Sequence, residues 1–141
     1  MTLHRLKADS WESETTSGLA AIKILIVEDN VDGAESLAMI LPAYGHTVLV
    51  AFDGPTGLIA GEEFQPDVVL LDIGLPRLDG YEVARVLRER RPEGLVIIAI
   101  SGYCQLEDRE RSSAAGIDQH LAKPVDIESL TAFLSAMKRC G

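Results

Sequence analysis

The sequence is sparing with cysteine: Cys104 and Cys140 are its two thiols in 141 residues. They show neither metal-ligand spacing nor a disulfide framework, so reduced thiols and a cytoplasmic setting are expected. Basic residues are scarce too. Thirteen Lys and Arg stand against 22 Asp and Glu, giving a net charge of −9 that is poorly matched to a phosphodiester backbone. No direct nucleic-acid contact is expected. Long apolar runs are missing as well: none reaches the roughly 20 residues of a membrane span, and residues 1–20 lack the apolar centre of a signal peptide. No membrane association is expected. What is present fits one domain, since 141 residues that are 47% hydrophobic can bury a real core.

The most informative stretch runs from Asp67 to Gly80. Val68 to Leu71 is an unbroken apolar run, as in a strand buried on both faces of a parallel sheet. The run ends in Asp72 and a loop containing Gly74 and Pro76. Open α/β sheets place their chemistry at the carboxyl ends of central strands. An Asp after a strand can equally be a turn former or helix cap.

Strands and helices alternate along the rest of the chain. Residues 1–20 are polar and read as a flexible N-terminal arm or linker, with the domain covering 21–141. Lys23–Val27 reads as a strand. A helix from about Asp32 to Tyr44 follows, with Leu37, Ile40, Leu41 and Tyr44 on one face, Pro42 loosening its last turn and Gly45 ending it. Thr47–Phe52 is a second strand whose mixed composition suits a sheet edge, and Pro55–Phe64 a second helix. A third helix covers about Gly80–Arg91, capped by Asp79. Leu95–Ile100 is a fourth strand, about Leu106–Ala115 a helix, Asp118–Ala122 a short strand, and about Ile127–Lys138 the last helix. Five β/α units predict an α/β, flavodoxin-like, doubly wound five-stranded parallel sheet with helices on both faces. The two-sided apolar character of the first, third and fourth strands places them inside, in the order 2-1-3-4-5.

On that topology all strand ends share one rim. The first strand delivers Glu28 and Asp29, the third Asp72, the fourth Ser101 and the fifth Lys123. Three carboxylates so close repel at neutral pH and need a cation. Oxygen ligands with room for water and a phosphate suit Mg²⁺ rather than zinc. A Lys and a Ser facing the metal supply the neutral balance and the hydrogen bond that a transferring phosphoryl group needs, with Asp72 as the natural nucleophile. Plainer roles stand beside these: Glu28 and Asp29 as a solvated loop pair, Ser101 as a turn former, Lys123 as a surface charge. Arg85, Arg88, Arg90 and Arg91 on the third helix are expected to form a solvated face, and Cys104 to be a bystander.

Four segments carry a resemblance. Ile24 to Asn30, the Asp-x-x-Leu-Pro-x-x-Asp-Gly pattern beginning at Asp72, Ser101-Gly102 and Lys123-Pro124 occur in the order and spacing of a response-regulator receiver domain of two-component signalling, similar to the chemotaxis regulators, over about residues 22–140. The resemblance implies a phosphorylation-controlled switch, not an enzyme with a product of its own. It makes Asp72 the phosphoacceptor and Glu28, Asp29 and Asp72, with the Gly74 carbonyl, the Mg²⁺ ligands. Ser101 and Lys123 would contact the phosphoryl oxygens, and Lys123-Pro124 would be a cis peptide. The implied donor is a sensor histidine kinase or a histidine phosphotransfer protein. The implied output surface is the face of the fourth helix, fifth strand and fifth helix, with Ser101 and position 120 as the switch pair.

Departures from the family pattern are informative. His120 stands where receivers usually carry Tyr or Phe, and it reads as a half-buried side chain with a switch role in doubt. Gly74 and Tyr103 occupy positions that tune acyl phosphate lifetime in the family. An FMN-binding flavodoxin is disfavoured because Glu28, Asp29 and Asn30 would repel the cofactor phosphate. An aspartyl-phosphate phosphatase is disfavoured because Gly74 stands where a second Asp would act. The alternative within the family is a receiver excised from a hybrid sensor kinase, or a phosphorelay intermediate or phosphate sink.

Overall fold

The computed structural model describes residues 3–6, 22–75, 79–102 and 113–140. Strand β1 spans Leu3–Leu6, β2 Lys23–Val27, and helix α1 Val31–Ile40, which passes into a 3-10 turn at Leu41–Tyr44. Then come β3 (Thr47–Ala51), α2 (Gly54–Phe64), β4 (Val68–Asp72), α3 (Gly80–Arg90), β5 (Val96–Ser101), β6 (Gln119–Ala122) and α4 (Ile127–Cys140).

The sheet order is β1-β3-β2-β4-β5-β6. Strands β2 to β6 pair in parallel and reproduce the expected 2-1-3-4-5 arrangement. The sheet carries one strand more than the five expected. Four residues of the segment read as an arm, Leu3–Leu6, pair antiparallel with β3, from Leu3 opposite Ala51 to Leu6 opposite Val48.

Side-chain alternation along the central strands divides the apolar residues between two cores. Leu25, Val27, Val69, Leu71, Ile97 and Ala99 face α2 and α3, where Phe64, Val83 and Leu87 close the layer. Ile24, Ile26, Val68, Leu70, Ile98 and Ile100 face α1 and α4, meeting Leu37, Leu41, Leu130 and Leu134. Both faces of β2, β4 and β5 are thus dry, which is why these strands read as continuous apolar runs.

Local chemistry sets the helix ends. The Asn30 side chain caps α1 by accepting from the Gly33 amide at 3.1 Å, and Asp53 caps α2 by accepting from Thr56 at 2.8 Å. The first helix stops at Ile40, four residues before the expected Tyr44. Pro42 has no N–H to continue the α-helical ladder, so the chain tightens into the 3-10 turn before Gly45. In α2, Gly57 lowers helix propensity but permits close packing: a Cβ there would sit 2.9 Å from Val27 Cγ2.

The arginines of α3 correct the solvated-face expectation. Arg85 fits it, pairing with Glu82 and Glu89 in the open. The others reach across the surface to backbone carbonyls. Arg90 Nη1 donates to Leu58 O at 3.1 Å, Arg91 donates to Pro66 O and, at 2.9 Å, to Gly94 O, and Arg88 grips the turn before β6. The helix expected at Leu106–Ala115 lies outside the described residues apart from its last three positions. Among the described residues, no helix is long and apolar enough to cross a membrane.

Candidate functional site

The rim at the carboxyl ends of the strands is assembled by the same alternation that builds the α1/α4 core. Glu28 continues the row of Ile24 and Ile26, Asp72 that of Val68 and Leu70, and Lys123 that of Leu121. Val27 opposite Leu71 aligns β2 with β4, so Glu28 and Asp72 follow at neighbouring strand ends. The Lys123 amide donates to Ser101 O at 2.8 Å, tying the end of β6 to the end of β5. The Lys123–Pro124 peptide is cis.

These rows bring the charges together. Lys123 Nζ lies 3.1 Å from Glu28 Oε1 and 3.2 Å from Asp72 Oδ2. Glu28 and Asp72 are buried and Asp29 is exposed, and each offers an oxygen within 4.8 Å of the others. Two backbone amides brace the buried pair: Asn30 N donates to Glu28 Oε2 at 3.1 Å and Gly74 N to Asp72 Oδ1 at 2.8 Å. A cleft of about 380 Å³ opens beside them, between Leu37 on α1 and Pro124 and Val125 after β6.

Electrostatics sort the two carboxyls. Burial, together with the hydrogen bond and the charge of Asp72, pushes the Glu28 carboxyl from its ordinary 4.5 to about 7, against the pull of the Asn30 amide and Lys123. Asp72 moves the other way. Burial alone would raise it, but the hydrogen bond from Glu28, the Gly74 amide and the Lys123 ammonium together bring it below the usual carboxylate range. Lys123 is raised, because its two carboxylates outweigh its desolvation. Of the two, Glu28 is therefore the carboxyl more readily protonated.

Glu28, Asp29, Asp72 and Lys123 are thus gathered at one point. Ser101 is buried at the end of β5, one step beyond Ile100, the partner of Asp72. His120 is half-buried on β6 and pairs with Ala99, two residues below Ser101 on the same strand. Gly74 is exposed in the loop after β4. Tyr103 and Cys104 lie outside the described residues. Sequence reasoning missed Asn30, which both caps α1 and braces Glu28. Its signal was the Asn-x-x-Gly spacing at a helix start.

Residues 24–135 match the model of the response regulator receiver domain. The chain belongs to that family. This receiver is 36% identical over 119 residues to the response regulator MprA of Mycobacterium ulcerans, a match covering 84% of this chain and 51% of that protein. It is 30% identical over 118 residues to the DNA-binding dual master transcriptional regulator RpaA of Synechocystis, covering 83% of this chain and 49% of that protein. The chain spans about half the length of these curated relatives. The crystal structure of a CheY-like receiver domain protein from Methanospirillum hungatei superposes with a TM-score of 0.76 at 31% identity, covering 86% of this chain and all of that one. Receiver domains bind Mg²⁺ through acidic residues, and this receiver presents such a cluster in Glu28, Asp29 and Asp72.

Proposed function

We propose that this receiver is a phosphorylation-controlled signalling switch in which Asp72 accepts a phosphoryl group from phosphohistidine on a sensor kinase or phosphotransfer protein. The observation that carries the reading is the meeting of Lys123 Nζ with Glu28 and Asp72, at 3.1 and 3.2 Å, across strands β2, β4 and β6.

The donor set fits Mg²⁺. Three carboxylates lie within 4.8 Å of one another, all oxygen, with Asp29 open to solvent, as suits a hard cation that keeps several waters. Glu28, Asp29 and Asp72, with the Gly74 carbonyl, would hold it. Bound there, Mg²⁺ supplies the positive charge that lets an anionic phosphodonor approach an anionic rim.

The chain's own residues perform the transfer. An Asp72 carboxylate oxygen attacks phosphorus; the new O–P bond forms as the P–N bond to the donor imidazole breaks, and the departing imidazole takes a proton from water. The Lys123 ammonium keeps its proton, held by its carboxylate partners, and turns to the incoming phosphoryl oxygens. The Ser101 hydroxyl donates to the same group. Ser101 and His120 follow the same alternation, one in the row of Ala99 and the other paired with it. A pull on Ser101 is therefore read one strand away, at His120 on the β6 edge, and a downstream protein would dock there, on the surface shared by the helix expected at Leu106–Ala115, β6 and α4. Residues 21–141 form the signalling unit in this reading, residues 1–20 its arm, and the setting is cytoplasmic.

Incubation with acetyl phosphate and Mg²⁺ should add one phosphoryl mass, and both EDTA and Asp72→Ala should abolish it. Equal labelling of Asp72→Ala would sink the assignment. Chemical-shift mapping with beryllofluoride tests the readout. Perturbations confined to Glu28, Asp29 and Asp72 would reduce the protein to a relay or phosphate sink.

A further inference from the structure

We infer that Arg88, at the end of the sheet opposite the acidic rim, is a positioning residue for Lys123. The inference rests on the assignment of Lys123 to the phosphoryl site. Strand β6 has four residues, pairs among the described residues with β5 alone, and leaves Gln119 and Ala122 exposed with His120 and Leu121 half-buried. So short and thinly buried a strand has little in its own packing to define its register. Register matters here because one residue of slip moves each side chain about 3.3 Å along the sheet and onto the opposite face. The Lys123 ammonium contacts, at 3.1 and 3.2 Å, would not survive that displacement.

What holds the register is a clamp at the start of the strand. Asp118, the residue before β6, donates its amide to Ile97 O at 2.8 Å, and its Oδ2 accepts from Ile97 N at 2.8 Å. Arg88 Nη2 donates to that same Oδ2 at 2.6 Å. The guanidinium also donates from Nε and Nη2 to Gly116 O at 3.1 and 2.9 Å, and from Nη1 to Leu95 O at 2.8 Å. One planar group therefore ties helix α3, the lead into β5 and the lead into β6. Gly116 is shaped to it: φ is +82°, and a Cβ there would meet Arg88 Cγ at 2.6 Å. A lysine has no such fork and could not hold three partners in one plane.

The test compares acetyl phosphate labelling rates, with Mg²⁺ present, for the natural chain, Arg88→Gln, Lys123→Ala and the double variant. Arg88→Gln is expected to slow labelling about tenfold, part of the roughly hundredfold that a 1 Å misplacement of a reacting group can cost. Lys123→Ala is expected to slow it further, and the double variant to match Lys123→Ala alone, because Arg88 acts through the ammonium. Mg²⁺ affinity, measured by titration calorimetry, should be unchanged in Arg88→Gln, since the ligands sit on β2 and β4. Amide exchange at residues 119–122 should rise while residues 68–71 keep their protection. Multiplicative loss in the double variant, or a wild-type rate in Arg88→Gln, overturns the inference, as does a parallel fall in Mg²⁺ affinity. A wild-type rate in Lys123→Ala would instead overturn the functional reading beneath it. If Arg88→Gln does not fold, Asp118→Asn, which keeps an acceptor but removes the charge, replaces it with the same expected pattern.

Discussion

The two ends of the sheet handle charge in opposite ways. At the carboxyl end, Glu28, Asp29 and Asp72 are held against one another around a single ammonium. At the amino end, charged side chains meet backbone groups or opposite charges. Lys23 Nζ donates to Phe64 O at 3.1 Å and lies 5.3 Å from the Phe64 ring centre, and Asp67 Oδ2 accepts from the Lys23 amide at 2.9 Å. Arg88 and Arg91 end on the carbonyls of Leu95, Gly116, Pro66 and Gly94. Charge that stabilises a fold is spread over neutral dipoles. Charge that does chemistry is kept in conflict, ready for a cation or a phosphoryl group to relieve it.

The sharpest way to break this contrast is Asp72→Asn. Labelling by acetyl phosphate should vanish, as read by intact mass, while cooperative thermal unfolding persists. At the other end, Asp67→Ala should cost about 1 kcal/mol by leaving the Lys23 amide without its acceptor, measured by urea unfolding, and should leave the labelling rate unchanged. A rate loss there would mean that Asp67, like Arg88, acts on the rim along a strand. The third test uses pH. The Glu28 carboxyl is pushed up to about 7 from 4.5, so the fold favours its protonated form. That contribution is complete below pH 4.5 and is lost as pH rises through 7. Asp72, shifted down, adds no slope in this window, because its contribution falls away only in acid. In EDTA, stability should therefore decline from pH 4.5 to about pH 7 and level off above it, and Asp72→Asn should flatten that slope by removing the neighbouring charge. The smallest effect belongs to Arg85→Ala. Its partners Glu82 and Glu89 are solvent-exposed, so unfolding should shift by no more than about 0.5 kcal/mol.

The same contrast explains what was legible in the sequence. Ile24–Val27 and Val68–Leu71 announced themselves because burial on two faces leaves no polar residue in either run. The rim was legible because its residues are chemically conspicuous and each follows such a strand directly. The amino-end clamps were not. Arg88 bonds to the carbonyl of Gly116, 28 positions away, and a carbonyl has no signature in the sequence. An arginine on a polar helix face therefore reads the same whether water or backbone receives it. Strand β1 was illegible for another reason. Leu3–Leu6 includes His4 and Arg5 and is four residues long, too short for periodicity to register. Its backbone pairing with β3 owes little to side-chain pattern.

That added strand changes which backbone the sheet offers at its flanks. A β-sheet is extended by another chain only along a flank whose amides and carbonyls are unclaimed. On the β3 side the outer flank now belongs to Leu3–Leu6, so a newcomer there would meet this four-residue strand and not β3. On the other side stands Gln119–Ala122, the strand that leads into Lys123. Strand addition at Leu3–Leu6 would stay one strand removed from β3, whereas addition at Gln119–Ala122 would bear directly on the ammonium proposed to meet the phosphoryl group.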